Sequence, residues 1–512
     1  MRTNPSPRFC AVSASPQLRE RVRLAAAEAR RAAGLPEVGG AAALVREPRR
    51  FGFNDGVIRP PSTFRPGTTR REITSAAADR PPLRGPVRVL VVLIDFPDKS
   101  FGEPTSRYQD LFFSTGVVPT GSVVEYFRDV TNGLVEIVGE VVGPFTMPQP
   151  LSWYANGNFG IGSPTGDPRA NIMAQDAAKA ADPGVDLKPY DNDADGYVDA
   201  FVIVHAGRGG EETGDPGDIW SHKWVLPEEY DADGTKVYGY LTIPEDAKLG
   251  VSAHELGHLL FGFPDLYDTD YTSEGIGDWC LMAGGSWNNG GDTPAHPSAW
   301  CKAQQEWVTV DNVTADTSLS LPDVKTSKTV QRLWSGGEVG TEYFLLENRQ
   351  QTGFDSGLPG SGLLVWHVDE VQEGNSDESH YLVGLLQADG LRELELNFNR
   401  GDGGDPYPGW NGNTSLTGTS SPSSQSYAGQ DTGVVVSGIS ESGDPMKATV
   451  SVTGTLPDGG GEGGDLEELR AAVTALQSQV ATLQQSVAQA GSALAQASGL
   501  GVNVPSQRGL RR

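Results

Sequence analysis

Apolar residues along this chain follow three rhythms, and each predicts a different kind of element. Unbroken apolar runs at residues 87–96 (VRVLVVLIDF, leading into Asp95-Phe-Pro-Asp98) and 200–205 (AFVIVH) read as buried strands. Helical spacing marks the Ala/Arg-rich stretch 18–33 and the stretch around 251–261, where Val251 and Ala253 precede, and Leu259, Leu260 and Phe261 follow, a short polar cluster. Between Pro60 and Pro82 a series of prolines rules out any long helix. From about Thr309 the pattern changes to short alternating strands divided by Gly, Asp and Ser turns, as at 331–334, 343–348, 362–368 and 434–437. That texture predicts a β-rich, sandwich-like region.

The end of the chain has a fourth pattern. Leu466, Leu469, Val473, Leu476, Val480, Leu483, Val487, Ala490 and Leu494 alternate in steps of three and four, the signature of a coiled-coil seam. Valine at one core position and leucine at the other predict self-association as a parallel dimer, with a trimer as the alternative. The expected organisation is α+β. A basic N-terminal segment spans 1–85, a catalytic domain 86–308, and a β-rich domain 309–456. A Gly-rich linker (457–465), a coiled-coil helix (466–497) and a tail (498–512) follow.

Charge changes this picture at one end only. The net charge is −27, yet residues 1–88 hold seventeen arginines against seven acidic side chains, so the remainder carries −37. An acidic body of this kind repels phosphates and excludes nucleic acid as a partner. The basic leader either docks on that body as an inhibitory propeptide would, or is a solvated arm. No stretch is long and apolar enough to span a membrane, and the first residues lack the apolar core of a secretory signal.

The chemistry concentrates in His254-Glu255-Leu256-Gly257-His258. Histidines at i and i+4 share a helix face and can hold one zinc ion, while the glutamate between them faces a bound water as general base. Only seven histidines occur in 512 residues, which makes a chance match rare. Gly262 and Pro264 end the helix and Asp265 follows, where the chain can turn back towards the metal. A catalytic zinc needs a third protein ligand and an open position for water. A second site is expected at Asp191, Asp193, Asp195 and Asp199, where alternating aspartates and a sharp turn at Gly196 suit structural calcium. It is not a full EF-hand, since Val202 stands at the twelfth position.

The run HELGHLLFGFPDLYD (254–268), followed by GIGDWCLMAGGSW (275–287), resembles the immune inhibitor A or M6 family of secreted metalloproteases, which is usually placed with the metzincins. Similarity extends to 87–96, to Gly121–Phe127 with Thr131–Gly133, and to 342–370, so it covers roughly 86–453. The resemblance implies a metzincin-like fold and an endopeptidase acting on protein or peptide substrates. It also implies a methionine turn at Met282, Asp265 as third zinc ligand, and an extracellular location. Two features depart from the family. Gly262 and Asp265 lie four and seven residues beyond His258, one more than the metzincin pattern, which leaves Glu274, sixteen residues beyond, as the alternative ligand. The missing signal leaves an upstream start, another export route or delivery by a particle. A catalytically degenerate structural or adhesive protein on a coiled-coil stalk is the competing reading.

Three cysteines exclude a disulfide framework. Cys280 and Cys301 are either one bridge or two buried thiols. Cys10 lies in no recognisable switch motif of the sort that blocks zinc in some latent metzincins, and is assigned no part in the site. His367, in an apolar strand, reads as a core histidine, and the acidic glycine loop 401–405 as a plain turn.

Overall fold

The computed structural model describes residues 10–32, 60, 63–69, 72, 81–162 and 167–454. The linker, coiled coil and tail expected beyond residue 456 lie outside them. Six strands form the first sheet: β1 (Cys10–Ala11), β2 (Gly85–Asp95), β3 (Val135–Thr146), β4 (Phe201–His205), β5 (His222–Ala232) and β6 (Thr235–Pro244). Their order is β1-β5-β6-β4-β2-β3. β2 runs parallel to both β3 and β4, and β4 parallel to β6, while β5 is antiparallel to β6 and β1 antiparallel to β5.

The unbroken apolar run in β2 has a direct physical cause, because both of its faces are buried. Val87, Val89, Val91 and Leu93 pack with the helices Thr105–Phe113, Val123–Val130 and Leu249–Phe261 on one side. Leu90, Val92 and Ile94 meet the helix Ala170–Ala181 on the other. The helix Val123–Val130 starts where its sequence says it should. Ser122 accepts from the Glu125 amide at 3.3 Å and Glu125 accepts from the Ser122 amide at 3.0 Å, a reciprocal capping box.

Beyond residue 308 the alternating segments form two more sheets. One contains β7 (Thr309–Asn312), β9 (Thr329–Leu333), β10 (Glu342–Arg349), β11 (Gly362–Asp369) and β12 (Val383–Leu385), in the order β12-β11-β10-β9-β7. The other joins β8 (Thr317–Leu321), β14 (Met446–Ser451) and β13 (Val435–Ser437). Leu333, Phe344, Leu346, Leu363 and Val365 of the first face Leu321, Val436, Met446 and Val450 of the second, which makes a two-sheet sandwich. The alternate residues Leu345, Leu364, Trp366 and Val368 point the other way, into the same core that packs the helix Leu249–Phe261. β10 and β11 are therefore shared between the sandwich and the body that carries the site.

A buried charge network reinforces this seam. Arg349 donates to Asp355 at 2.8 and 2.5 Å and to Glu347 at 3.2 Å, and Trp366 Nε1 donates to Glu347 at 2.9 Å. Asp355 also accepts from the His296 amide at 2.9 Å, which ties the sandwich to the segment after Met282. Burial would raise the Asp355 carboxyl, but the Arg349 guanidinium holds it well below the usual carboxylate range. Lys302, buried nearby, is pushed down to about 8 by burial, against the pull of Glu347.

Candidate active site

The helix Leu249–Phe261 is buried along its whole length, including His254, Glu255 and His258. It continues one residue past the expected register, through Phe261, whose ring packs at 4.8 Å on Trp307 and 5.3 Å on Phe127. Gly262 then ends it at φ 68°, a left-handed cap that glycine adopts without steric cost. The turn that follows brings the Phe263 carbonyl to 2.6 Å from His258 Nδ1, and the Leu281 carbonyl lies 2.9 Å from His254 Nδ1. Each carbonyl can only accept, so each Nδ1 carries the proton and both Nε2 lone pairs face inward.

Those two Nε2 atoms stand 3.1 Å apart, and Asp265 Oδ1 lies 3.2 Å from the first and 3.0 Å from the second. Donors about 2.0–2.1 Å from a common tetrahedral centre are separated by roughly 3.3 Å, so this triangle has the dimensions of one metal's coordination face. Two inward lone pairs at such a distance repel each other unless a cation lies between them. Burial pushes His258 down. The same burial would raise Asp265, but the adjacent imidazoles hold its carboxyl below the ordinary value.

Glu255 completes the group. Neither of its oxygens takes a well-formed hydrogen bond, and burial, then the Asp265 charge, pushes its carboxyl well above the normal range, with a contact to the Val12 amide opposing the shift. A buried carboxylate is costly without a partner, and here it stands beside three convergent donors. Met282 lies beneath the helix. A Cβ on Gly257 would come within 2.7 Å of Met282 Sδ, so the glycine inside the motif is what allows this close approach. The Met282 carbonyl also accepts from the Leu266 amide at 2.7 Å, holding the Asp265 turn over the same floor.

Glu274 is placed elsewhere. Its two oxygens accept from Arg19 at 2.7 and 2.5 Å, a bidentate pair with the N-terminal helix Pro16–Ala32. In the loop before β4, the structure brings together carboxylate oxygens of Asp191, Asp193 and Asp199 within 4.8 Å. Asp195 is not in that group, and its Oδ1 accepts from the Tyr197 amide at 2.9 Å. Asp389, Asp402 and Asp405 gather in the same way around the loop read as a plain turn. His367 bonds Glu342 at 2.9 Å and stacks on Tyr427, as befits a core histidine. Cys280 and Cys301 are buried thiols without a bridge.

Cys10, which the sequence reading assigned no part in the site, lies close to it in the structure. Ligand atoms of Cys10, His258 and Asp265 all lie within 4.8 Å of one another, and Cys10 is fully buried. β1, only two residues long, pairs Cys10 with Lys223 and Ala11 with His222. No periodicity can reveal a strand that short. The available signal was the run of small residues from Cys10 to Ser15, all of which prove buried.

Residues 85–313 match the sequence model of the family described as immune inhibitor A peptidase M6, catalytic domain. The chain is 30% identical over 272 residues to the pre-pro-metalloprotease PrtV of Vibrio cholerae serotype O1 (strain ATCC 39315 / El Tor Inaba N16961), covering 42% of this chain and 29% of that protein. It is 32% identical over 291 residues to immune inhibitor A of Bacillus thuringiensis subsp. alesti, covering 45% of this chain and 42% of the relative. The chain thus spans less than half the length of either relative. Residues 85–313, which carry the helix, the Asp265 turn and Met282, are thus similar to the catalytic domain of the immune inhibitor A, or M6, family of peptidases.

Proposed function

We propose that this chain is a zinc-dependent endopeptidase that hydrolyses protein substrates, with His254, His258 and Asp265 as the zinc ligands and Glu255 as general base. The observation that carries this is the triangle of His254 Nε2, His258 Nε2 and Asp265 Oδ1, with sides of 3.0–3.2 Å, beside a buried glutamate. Two nitrogens and one carboxylate oxygen suit zinc and leave a fourth position open. Engagement of Glu274 by Arg19 favours Asp265 over it as third ligand. Zinc held by these three residues would supply a Lewis acid that polarises the scissile carbonyl and activates water. Glu255 takes a proton from the attacking water and returns it to the leaving amine. The Leu281 and Phe263 carbonyls fix the tautomers of the two histidines. Met282 gives the site an apolar floor.

Asp191, Asp193 and Asp199 form a calcium site that stabilises the approach to β4, with Asp195 shaping its turn. The family resemblance favours an extracellular location, and the heptads of 466–497 favour self-association, which would raise avidity for polymeric substrates. The test is casein cleavage by the zinc-loaded protein, before and after limited proteolysis of its basic leader, with and without a zinc chelator and beside Glu255→Ala. Cleavage that both the chelator and the substitution abolish supports the reading. Stoichiometric zinc with no cleavage in either state overturns it in favour of a degenerate scaffold.

A further inference from the structure

We propose that Asp389, Asp402 and Asp405 hold a structural calcium ion that clamps the loop 389–405 onto the segment carrying Met282. The clamp goes beyond the peptidase reading, and the ion can be measured whether or not the chain cleaves a substrate. Each of the three carboxylates places an oxygen within 4.8 Å of the others. Oxygens held about 2.4 Å from one calcium ion lie at most about 4.8 Å apart, so the group fits around a single ion. Gly404 makes the gathering possible. A Cβ there would run into Asp389 Oδ2 and lie 3.0 Å from Asp402 Oδ1, so the two carboxylates close over bare backbone.

Acidic side chains also cluster on surfaces without an ion, and Asp405 is what sets this group apart. It is only 1% exposed. Its Oδ2 accepts from Trp279 Nε1 at 2.9 Å and from the Asp402 amide at 3.1 Å, which leaves Oδ1, buried and without a hydrogen bond from any described residue, as the donor it offers the group. A buried carboxylate oxygen in that state is costly until a cation meets it. The two arginines of the loop turn elsewhere, Arg400 to Asp278 Oδ1 at 2.5 Å and Arg392 to the Glu378 carbonyl at 3.1 Å. Negative charge accumulates instead, because Asn399 Nδ2 donates both to Asp402 Oδ2 at 2.9 Å and to Glu393 Oε2 at 2.6 Å, bringing a fourth carboxylate to the rim. Burial pushes the Asp405 carboxyl up to about 7, and the Asp402 and Asp389 charges add to the rise against its two donors. All-oxygen donors select a hard cation, and an irregular loop suits calcium better than magnesium, which demands near-octahedral geometry.

The loop lies backbone to backbone on the Met282 segment. The Glu274 amide donates to the Leu394 carbonyl at 2.9 Å, the Asp278 amide to the Arg400 carbonyl at 2.8 Å, and Arg400 Nη2 to the Gly284 carbonyl at 2.8 Å. Gly277 and Gly401 permit this approach. A Cβ on the first would strike the Arg400 carbonyl, and one on the second would sit 2.6 Å from Trp279 Nε1. Trp279, fully buried, joins the carboxylate group to a residue three before Met282. An ion drawing Asp389 to Asp402 and Asp405 would hold both ends of the loop, and through it the turn beneath the active helix. Calcium affinity rises with ligand charge and rigidity, so this group holds its ion more tightly than the 191–199 loop, whose carboxylates already accept backbone amides.

The experiment measures calcium in the full-length chain by atomic emission after gel filtration in calcium-free buffer, beside Asp199→Asn, Asp405→Asn and Asp389→Asn. Wild type and Asp199→Asn are expected to keep about one calcium per chain, and Asp405→Asn to keep none. Asp389 is partly exposed and accepts from the Leu391 amide at 2.9 Å, so Asp389→Asn leaves the core closed if Asp405→Asn does not fold. It is expected to bind calcium about tenfold more weakly. Stripping calcium from wild type and from Asp199→Asn should speed amide hydrogen exchange across 274–287 by about tenfold, and reloading should reverse it. A wild type that keeps no calcium, or calcium kept undiminished by Asp405→Asn and Asp389→Asn, overturns the proposal. Exchange at 274–287 that ignores an ion bound through Asp405 sinks the clamp. The expected calcium and exchange results in a chain that cleaves no casein support the clamp while the peptidase reading falls.

Discussion

Two carboxylate-bearing centres stand about the same sheet, and they differ in where their polar atoms find partners. At His254, His258 and Asp265 the donors converge at 3.0–3.2 Å, fully buried, with Glu255 unsatisfied beside them. In the 191–199 loop the acceptors are already engaged by the backbone. Asp191 takes the Asp195 and Gly196 amides at 3.0 Å each, and Asp199 takes the Asn192 amide at 2.6 Å. The loop can hold its shape through its own hydrogen bonds, and an ion would add to a turn that exists without it. The helix site instead turns its polar atoms towards one another at 3.0–3.2 Å, the spacing of donors around one metal ion. Burial without satisfaction marks chemistry, whereas satisfaction with part exposure marks scaffold.

The sharpest way to break that contrast is to remove the unsatisfied acid. Glu255→Gln keeps the shape and every metal donor, so zinc stoichiometry should hold while casein cleavage falls by about 10²–10⁴-fold. Retained cleavage would remove Glu255 from the chemistry. Next comes calcium. Saturation at a hundred times its dissociation constant should stabilise the fold by about 2.7 kcal/mol. That gain, read as a rise in thermal midpoint, should disappear in Asp199→Asn with zinc content unchanged. A calcium response that survives Asp199→Asn would take the ion elsewhere.

A third comparison is with a buried histidine away from both centres. His205 is pushed down to about 4 by burial, against the opposing pull of the Ala206 carbonyl and of the Asp246 and Glu245 charges. It is neutral in the fold, so the unfolded chain takes up the proton first. Its contribution is complete above pH 6.5 and is lost as pH falls towards 4. The loss should come to about 1.5 kcal/mol between pH 6.5 and 5, and His205→Leu should flatten the fall in thermal midpoint over that window. An unchanged slope would assign the acid sensitivity to other groups. The smallest effect is expected at Asp195, which bonds Tyr197 and stays outside the carboxylate group. Asp195→Asn should cost about 0.5–1 kcal/mol in denaturant unfolding and leave the calcium response in place. Loss of that response would make Asp195 a ligand after all.

The helix site was legible because its information is local. The spacing of His254 and His258 fixes a shared face, and Gly262 and Pro264 announce the end of the helix. Only the extra turn length was open, and Phe261 settles it through its contacts with Trp307 and Phe127, which are distant in sequence. The strands β2 and β4 were equally plain, since burial on both faces demands continuous apolar side chains. What separates Glu274 from Asp265 lies far off in sequence, in its bidentate contact with Arg19, 255 residues away. The placement of Cys10 was not legible for the same reason, since it depends on Lys223 and His222 across the sheet and on three ring donors scattered between Trp220 and Trp287.

The strands β10 and β11 bear on how this protein can be cut and recombined. Leu345, Leu364, Trp366 and Val368 form one wall of the core around the active helix, yet they lie beyond residue 313, where the family match ends. Expression of 85–313 alone would expose that wall's counterpart to solvent and leave the His296 amide without its Asp355 acceptor. The sandwich is thus no detachable appendage, and chimeras of this chain should be spliced after β14.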